Sequence, residues 1–338
     1  MSDHRVQSPY TFHPYAWQLG IWERLTGLSA DSRLPHAILM GGAAGIGKQR
    51  LAHAFAAYLL CQSPNPTSAC GACKSCNLLS AGSHPDFIFL TPETDPKTEK
   101  TAKFIKVDQV RELVEFAAKS AQLGGYRVIC IEPAHLLNVQ AANALLKTLE
   151  EPGRQTLIML VSSQALSLPA TIRSRCQQLI LPLPEESDAL AWLTPQVGDP
   201  TSARLLLGLA GGAPLAALAL RDSLWFAERE RLLKDLSGIR EGKVGALAAA
   251  QRWHGLGAEA VLSGLSSLVE DMARLSLGAK VVKHHDLAPI IQGLCRRVSA
   301  KSLLEFRRGL AEKQRFLGGN IQGPLLLDAV FSEWGRMA

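Results

Sequence analysis

Short hydrophobic runs recur through the first half of the chain, and each is bounded by turn residues or by a segment with helical spacing. Continuous apolar runs of this kind, without alternating polar residues, are typical of parallel strands that are buried on both faces. The pattern therefore predicts a parallel sheet. Its strands are predicted at Ala37–Met40, Phe87–Leu90, Val128–Ile131, Leu157–Val161 and Leu179–Leu181.

Between these runs, hydrophobic residues recur with the spacing of amphipathic helices. Helices are predicted over Lys48–Leu60, Val107–Ala121 and Val139–Glu150. The segment Thr91–Lys103 instead carries prolines and many charges, which predicts an exposed loop. Strands that alternate with helices in this way indicate an α/β domain.

Beyond Pro182 and Pro184, hydrophobic runs typical of strands no longer occur. The segment from Glu185 to about Arg221 has helical spacing. The remainder is rich in Leu, Ala, Arg and Glu with helical spacing, as in a predicted helix with the apolar positions Leu303, Leu304, Phe306 and Leu310. We therefore predict three domains, an α/β domain at 1–182, a small helical domain at 183–221 and an all-helical domain at 222–338.

Composition and charge limit the classes of protein that fit. The 338 residues are 47% hydrophobic and 20% charged, which suits a protein with its own hydrophobic cores. No apolar run reaches the length of about eighteen residues that a transmembrane helix needs, and the N-terminus shows no secretory signal. A cytoplasmic location is the resulting expectation. The net charge of +6 permits contact with nucleic acid without indicating it.

A glycine-rich segment, Gly42–Lys48, follows the first predicted strand and opens a predicted helix. This is the setting of a phosphate-binding loop, in which backbone N–H groups and a lysine surround the phosphates of a nucleotide. Gly42, Gly47 and Lys48 are the candidate nucleotide-binding residues. The next residue is Gln49, whereas a working loop needs the hydroxyl of Ser or Thr there to hold Mg²⁺.

The predicted strand Val128–Ile131 should supply the second half of such a site, and it is followed by Glu132 and Pro133. An active ATPase of this type has Asp and Glu at these two positions, one to organise Mg²⁺ and one to activate the attacking water. Glu132 is a poor substitute for Asp, and Pro133 has no acid–base group. Together with Gln49, these changes predict that ATP is either not bound or not hydrolysed by this chain.

Four of the seven cysteines are clustered with the spacing C-x8-C-x2-C-x2-C. A C-x2-C pair lets two thiolates hold one metal ion from a tight turn, and four thiolates complete a structural zinc site. The alternative is four thiols with no shared function. Disulfides are disfavoured because no secretory signal is predicted. We predict a structural zinc module at about 61–76, with the ligands Cys61, Cys70, Cys73 and Cys76.

The segment Thr171–Cys176 lies between two predicted strands and contains Arg175. One interpretation is a surface arginine in a loop. The other is an arginine finger, a guanidinium that neutralises charge on a transferring phosphoryl group and is worth about 10³–10⁵ in rate. Because Arg175 is far along the chain from the glycine-rich loop, a finger here would serve the nucleotide of a neighbouring subunit.

A set of specific segments resembles the AAA+ subunits of the bacterial DNA polymerase III clamp loader. The run Asn143–Pro152 is long and very specific. The resemblance covers residues 10–215 well and the helical C-terminal third more loosely. The segments are Leu34–Ala37, the cysteine module, His84–Asp86, Ala141–Pro152 and Ser174–Cys176.

The resemblance implies an α/β P-loop AAA+ domain with an inserted zinc module, a small helical lid domain and an all-α C-terminal collar domain that holds a ring-shaped complex together. Motor subunits of the family keep an intact Gly-Lys-Thr loop and an Asp-Glu pair, which this chain lacks. A lid arginine that senses ATP in active relatives is matched here by Leu215. The chain also ends at 338, without the long extension of tau. It therefore looks like the ATPase-deficient stator of the ring.

The same resemblance implies a function in chromosome replication. Arg175 would complete the ATP site of an adjacent motor subunit in trans, and the chain would support loading of the sliding clamp on primed DNA. The implied partners are the gamma/tau motor subunits and the delta subunit, with the clamp and primer–template DNA reached through the complex, and no membrane. The implied cofactor is structural zinc. No independent activity is expected from this component of the DNA polymerase III holoenzyme, a DNA-directed DNA polymerase.

Two other functions stay open. The first is an active ATPase motor of the gamma/tau type, which Gln49, Pro133 and Leu215 argue against. The second is a zinc-dependent nucleic-acid-binding protein unrelated to clamp loading. The cysteine module has only Lys74 as a basic residue between Cys70 and Cys76 and no interleaved aromatic residue, which argues against it.

Overall fold

The computed structural model describes residues 12–95, 97–98, 101–296, 298–317 and 322–337. The first eleven residues, in which the sequence shows no secretory signal, lie outside the described residues. Contacts within the chain divide it into two units, Met1–Ala189 and Leu190–Ala338, which are described separately. The finer division into three domains at 1–182, 183–221 and 222–338 stays a prediction.

The first unit contains a five-stranded sheet in which every neighbouring pair of strands is parallel, as predicted from the hydrophobic runs. Across the sheet, the order is second, third, fourth, first and fifth strand along the chain. The carboxyl ends of the first, third and fourth strands therefore lie at one edge of the sheet. The strands are β1 Ala37–Gly41, β2 Phe87–Leu90, β3 Arg127–Ile131, β4 Thr156–Val161 and β5 Gln177–Ile180.

The three central strands, β1, β3 and β4, are buried at every position, whereas the edge strands are not. β2 is partly exposed, and Gln177, Gln178 and Ile180 of β5 are exposed. The prediction that all strands are buried on both faces is therefore wrong at the two edges. An edge strand has a neighbour on one side only, so helices and loops cover it less completely.

The three helices predicted in the first unit begin where the sequence places them. The predicted helices at 48–60 and 139–150 are confirmed at both ends, and the helix at 107 begins as predicted. The helices are α1 Leu19–Ala30, α2 Lys48–Leu60, α3 Lys74–Ser80, α4 Val107–Ala117, α5 Val139–Glu150 and α6 Ala170–Arg173. Of these, α1, α3 and α6 were not predicted.

α4 ends at Ala117, four residues before the predicted end at Ala121. Nη1 of Arg127 donates to the Phe116 carbonyl, and Nε of Arg127 donates to the Ser120 carbonyl at 3.0 Å. The last carbonyls of a helix have no partner within the helix. A guanidinium from β3 donates to such a carbonyl here, a contact that spacing along the sequence does not reveal.

One hydrophobic cluster of the first unit contains residues of the sheet and of the helices α4 and α5. Leu39 and Ile129 from the sheet and Leu113 and Leu145 from the helices are at most 1% exposed and belong to one cluster. Burying a side chain of this kind contributes about 1.5–3 kcal/mol.

The predicted exposed loop Thr91–Lys103 is mostly exposed where it is described, while its residues 96, 99 and 100 lie outside the described residues.

In the described residues of the second unit every regular element is a helix, as predicted. Leu303, Phe306 and Leu310 are buried on one face of a helix, whereas Leu304 is 47% exposed. The helices that follow β5 are α7 Glu186–Val197, α8 Pro200–Leu209, α9 Pro214–Arg221, α10 Leu224–Arg240, α11 Ala246–Trp253, α12 Ala258–Ser276, α13 Ala288–Cys295, α14 Ala300–Arg315 and α15 Gly323–Arg336.

The core of this unit is built around α12, which packs against α14, α13 and α15. Leu265 of α12 and Phe331 and Trp334 of α15 are fully buried. Nε1 of Trp334 donates to the carbonyl of Leu236 at 2.9 Å, so the one polar atom of this buried ring has a partner.

Within the described part of the chain, no single helix is long and apolar enough to cross a membrane. The pair α8 and α9, bent by 109°, meets the criterion of length and composition only when both helices are taken together.

Candidate functional site

The glycine-rich loop has the backbone shape of a phosphate-binding loop and joins β1 to α2, as predicted. Gly42 and Gly47 have φ angles of 137° and 86°, in the region that favours glycine. A Cβ at Gly47 would come within 2.6 Å of the Tyr15 ring, and one at Gly42 within 2.6 Å of the Leu181 carbonyl oxygen. Both positions therefore need glycine for conformation and for space.

Lys48 is turned onto the loop to which it belongs. Its Nζ donates to the carbonyl oxygens of Gly42 at 3.0 Å and Ala43 at 2.6 Å. The side chain is buried, and burial lowers the pKa of Lys48, although the negative charge of Glu132 opposes that shift. In a working loop this ammonium contacts the phosphates. Here it binds backbone carbonyls of the loop.

Glu132 and Pro133 follow β3 at the same edge of the sheet, and the peptide bond between them is cis. Burial raises the pKa of Glu132 to about 7, with the charge of Lys48 opposing the shift. Its Oε2 is buried and has no hydrogen-bond partner among the described residues. Gln49 is exposed in the first turn of α2. Neither Gln49 nor Pro133 supplies a hydroxyl or a carboxylate to this edge.

Two further polar residues at this edge were missed by the sequence analysis, His135 and Ser162. Nδ1 of His135 lies 3.1 Å from Oγ of Ser162, which also accepts a hydrogen bond from the backbone N–H of Gln164 at 2.9 Å. Burial lowers the pKa of His135, and the charge of Lys48 lowers it further, so the neutral imidazole is favoured. His135 and Ser162 lie just after β3 and β4, and this position could have indicated them in the sequence. Ligand sites form at the carboxyl ends of parallel strands.

Residues before α1 also contact the loop, which no motif indicated. Nε1 of Trp17 donates to the Ile46 carbonyl at 3.0 Å, and Nε2 of Gln18 donates to the Gly47 carbonyl at 2.9 Å. The Tyr15 ring stacks on Trp17, and the Arg50 guanidinium lies 4.3 Å from the centre of the Tyr15 ring. The loop is therefore held by its own lysine and by the segment that precedes α1.

Arg175 follows α6 and is about one third exposed. Its Nε donates to Oε1 of Glu150 at 2.6 Å, and its Nη1 donates to the Thr171 carbonyl at 2.9 Å. The next residue, Cys176, is 8% exposed, and burial raises the pKa of its thiol to about 12. Cys176 is therefore a core residue, and Arg175 is partly exposed at the surface.

The predicted zinc ligands are brought together by the end of α2 and the start of α3. The sulfur atoms of Cys61, Cys70, Cys73 and Cys76 all lie within 4.8 Å of one another. Separations of 3.9 Å between Cys61 and Cys73 and 4.0 Å between Cys70 and Cys76 suit thiolates around one tetrahedral ion.

Backbone N–H groups donate to three of these sulfurs. The donors are Cys70 to Cys61 at 3.3 Å, Cys73 to Cys70 at 3.3 Å and Cys76 to Cys73 at 3.5 Å. Although burial raises the pKa of Cys73, hydrogen bonds from backbone and neighbouring thiols outweigh it and lower that pKa to about 6. Such bonds favour thiolates, the form that binds metal.

A buried hydrogen-bond chain connects the cysteine module to the sheet. Oγ of Ser75 donates to the Leu60 carbonyl at 2.6 Å, so it accepts from Nε2 of His84 at 2.7 Å. Nδ1 of His84 accepts from the Asp86 backbone N–H at 3.0 Å. Burial lowers the pKa of His84, which agrees with a neutral imidazole that donates at one nitrogen and accepts at the other.

Two family models match the chain. A model described as "DNA polymerase III, delta subunit" matches residues 17–185, and one described as "DNA polymerase III, delta subunit, C terminal" matches residues 223–329. The DNA polymerase III subunit delta' of Pseudomonas aeruginosa is 36% identical over 329 residues, 96% of this chain and 98% of the relative. The chain belongs to the DNA polymerase III subunit delta' family.

Other relatives cover the chain less completely. The subunit delta' of Escherichia coli is 36% identical over 86% of this chain and 85% of its own length. The subunit tau/gamma of Haemophilus influenzae is 33% identical over 68% of this chain but only 32% of its own length. A gamma subunit-related protein of DNA polymerase III from Thermotoga maritima, with 18% identity and a TM-score of 0.46, covers 93% of this chain and 99% of its own.

Membership in the delta' family agrees with the resemblance found in the sequence. The roles of Gly42, Gly47 and Lys48 at a nucleotide, of Arg175 in trans and of the four cysteines at a metal stay predictions.

Proposed function

We propose that this chain is a clamp-loader subunit that does not hydrolyse ATP and that completes the ATP site of a neighbouring motor subunit. The observation that carries the proposal is the state of Lys48, whose ammonium binds the Gly42 and Ala43 carbonyls of its own loop. These two hydrogen bonds occupy donors of the ammonium that a working loop directs to the phosphates.

The chemistry around the loop supports the same proposal. Mg²⁺ in such sites is held by a Ser or Thr hydroxyl at the end of the loop and by an acidic residue after a neighbouring strand. This chain has Gln49 and Pro133 where the hydroxyl and the second carboxylate are needed. Glu132 is the one carboxylate present at the end of β3, and burial raises its pKa to about 7.

Arg175 supplies what a partner site would need. It lies at the surface beyond α6, and its guanidinium is fixed by Glu150 and Thr171. Arginine supplied in trans stabilises charge in phosphoryl transfer. The proposed partners are gamma/tau motor subunits and the delta subunit, with the sliding clamp and primed DNA reached through the complex in the cytoplasm. The chain then contributes to DNA polymerase III as a stator without independent activity.

The test is ATP binding and turnover by the purified chain, alone and then assembled with motor and delta subunits. The chain alone should neither bind nor turn over ATP. The assembled complex should show DNA-stimulated ATPase activity. In Arg175→Ala, the rate at the ATP site of the neighbouring motor subunit that Arg175 completes should fall about 10³-fold. Arg154→Ala, which also removes an exposed arginine, is the matched control and should leave the rate unchanged.

The second candidate is a motor of the gamma/tau type, which the 33% identity to a tau/gamma subunit favours. Turnover of ATP by the chain alone would support it and would contradict the stator proposal. An unchanged ATPase of the complex in Arg175→Ala would contradict the role of Arg175 in trans.

We further propose that the four-cysteine cluster holds one structural zinc ion. Four thiolates leave no open coordination position, so the ion would stabilise the module and would not take part in catalysis. The purified chain should contain one zinc per molecule by metal analysis, and Cys73→Ser should lose the zinc and lower the melting temperature. Cys295→Ser, outside the cluster, should keep it. A full zinc content in Cys73→Ser would contradict the ligand set.

A further inference from the structure

Glu150 and Arg175 are separated by 25 residues, and the fold brings their side chains into direct contact. Glu150 is the last residue of α5, and Arg175 lies between α6 and β5. Nε of Arg175 donates to Oε1 of Glu150 at 2.6 Å, and Nη2 of the same guanidinium forms an ion pair with that oxygen. No sequence motif indicated this pair.

The backbone on both sides of this contact is fixed by the core. Leu149, next to Glu150, is 1% exposed, and Ile172 and Cys176, on either side of Arg175, are 0% and 8% exposed. All three belong to the same hydrophobic cluster. The two side chains therefore extend from backbone that cannot shift without disturbing buried residues, so their contact has a defined geometry.

The contact leaves part of the guanidinium available. An arginine has five N–H donors. Glu150 engages Nε and Nη2, and the Thr171 carbonyl accepts one N–H of Nη1 at 2.9 Å, while Oγ of Ser174 is a long 3.5 Å from Nη1. The Arg175 side chain remains 34% exposed. The guanidinium is thus held along one side while its terminal nitrogens keep donors for an external phosphate.

We propose that Glu150 is a positioning residue, which holds Arg175 in the orientation that meets the phosphates of a nucleotide on a neighbouring subunit. This proposal rests on the role in trans proposed above for Arg175. Glu150 does not contact the nucleotide, and it acts by limiting the rotamers of Arg175. A guanidinium that is fixed before the encounter loses less freedom when it reaches the transition state, and small misplacements of such groups are costly in rate.

The test uses the assembled loader with primed DNA and compares Glu150→Ala and Glu150→Gln with the parent chain. We expect kcat for ATP to fall about tenfold in Glu150→Ala with KM unchanged, because the lost interaction matters in the transition state. Glu150→Gln keeps an oxygen acceptor and should lose less. Glu151→Gln is the matched control, since the Glu151 side chain has no hydrogen bond or ion pair among the described residues.

A double-variant cycle separates positioning from a general structural effect. If Glu150 acts through Arg175, adding Glu150→Ala to Arg175→Ala should cause no further loss of kcat. An equal loss in both backgrounds, an unchanged kcat in Glu150→Ala, or a faster reaction would each overturn the proposal. If Arg175→Ala leaves kcat unchanged, the proposed role of Arg175 in trans is wrong. If Arg175→Ala lowers kcat but Glu150→Ala does not, only the positioning role of Glu150 is wrong.

Discussion

At the scale of single residues, Lys48 is the side chain that distinguishes this glycine-rich loop from a working phosphate-binding loop. Its ammonium is buried and donates to two carbonyls of the loop, while Trp17 and Gln18 donate to two more loop carbonyls. These contacts hold the loop in its observed shape. We expect the loop to have a structural function, since it joins β1 to α2 and contacts the segment before α1.

This function of Lys48 leads to a prediction that differs from the one for a motor subunit. Lys48→Met should lower the free energy of unfolding by about 1–3 kcal/mol, because carbonyls of Gly42 and Ala43 lose their donor. The DNA-stimulated ATPase of the assembled complex should be unchanged. Urea unfolding of the chain and ATPase assays of the complex measure the two effects.

Gln49→Ala is the control for this variant. Gln49 is exposed next to Lys48, and exposed substitutions usually change stability by less than about 0.5 kcal/mol. Loss of ATPase activity in Lys48→Met, with stability unchanged, would show that the lysine acts on a nucleotide and would contradict the structural function.

At the scale of elements, a buried ion pair connects β2 and β3 to the loop after α4. Nη2 of Arg127 lies 3.4 Å from Oδ1 of Asp86, and both side chains are at most 2% exposed. Asp86 also accepts hydrogen bonds from the backbone N–H groups of Gln122 at 2.7 Å and Leu123 at 2.8 Å. The Arg127 guanidinium lies 4.2 Å from the centre of the Phe116 ring. The pair therefore orders the segment between α4 and β3.

Removing the charge of Asp86 should destabilise this part of the fold strongly. Asp86→Asn leaves the Arg127 guanidinium buried without a counter-charge, and breaking a buried pair in this way costs about 3–5 kcal/mol. Thermal unfolding of the variant measures the loss. Asp108→Asn is the control, because it breaks the exposed pair between Asp108 and Arg111, and such surface pairs are worth about 0–1 kcal/mol. Equal effects of the two variants would contradict this account.

At the scale of the whole molecule, the described residues include two hydrophobic clusters that lie in different units. One cluster contains residues from Ala37 to Cys176, and the other contains residues from Leu232 to Trp334. Neither cluster includes a residue of the other unit. A change in one core should therefore affect mainly the unit to which it belongs.

Leu265→Ala tests this independence. Leu265 is fully buried in α12, and truncation of such a leucine costs about 2–5 kcal/mol. Hydrogen exchange should show lower protection in the second unit and unchanged protection in the first. Leu145→Ala, at an equally buried position of α5, should show the reverse. Loss of protection in both units for either variant would mean that the chain unfolds as one cooperative body.

Local sequence determined much of the architecture. Hydrophobic runs without polar alternation specify the buried strands β1, β3 and β4. A strand that is covered on both faces has no solvent-exposed side, so polar residues do not alternate along it. The spacing within Lys48–Leu60 and Val139–Glu150 specifies helices to their ends. The sequence also predicted that the four cysteines lie together, since the spacing of ligands in a tight turn is a local property. Gln49 and Pro133 predict a loss of motor chemistry, and this stays a prediction.

Only the tertiary structure decided how separate segments complete one another. The end of α4 depends on Arg127, the state of Lys48 depends on loop carbonyls and Glu132, and the orientation of Arg175 depends on Glu150. Each of these contacts joins groups whose pairing no local spacing specifies. Hydrogen bonds and ion pairs depend on distance and direction in space, and these are established only when the sheet and its helices have packed together.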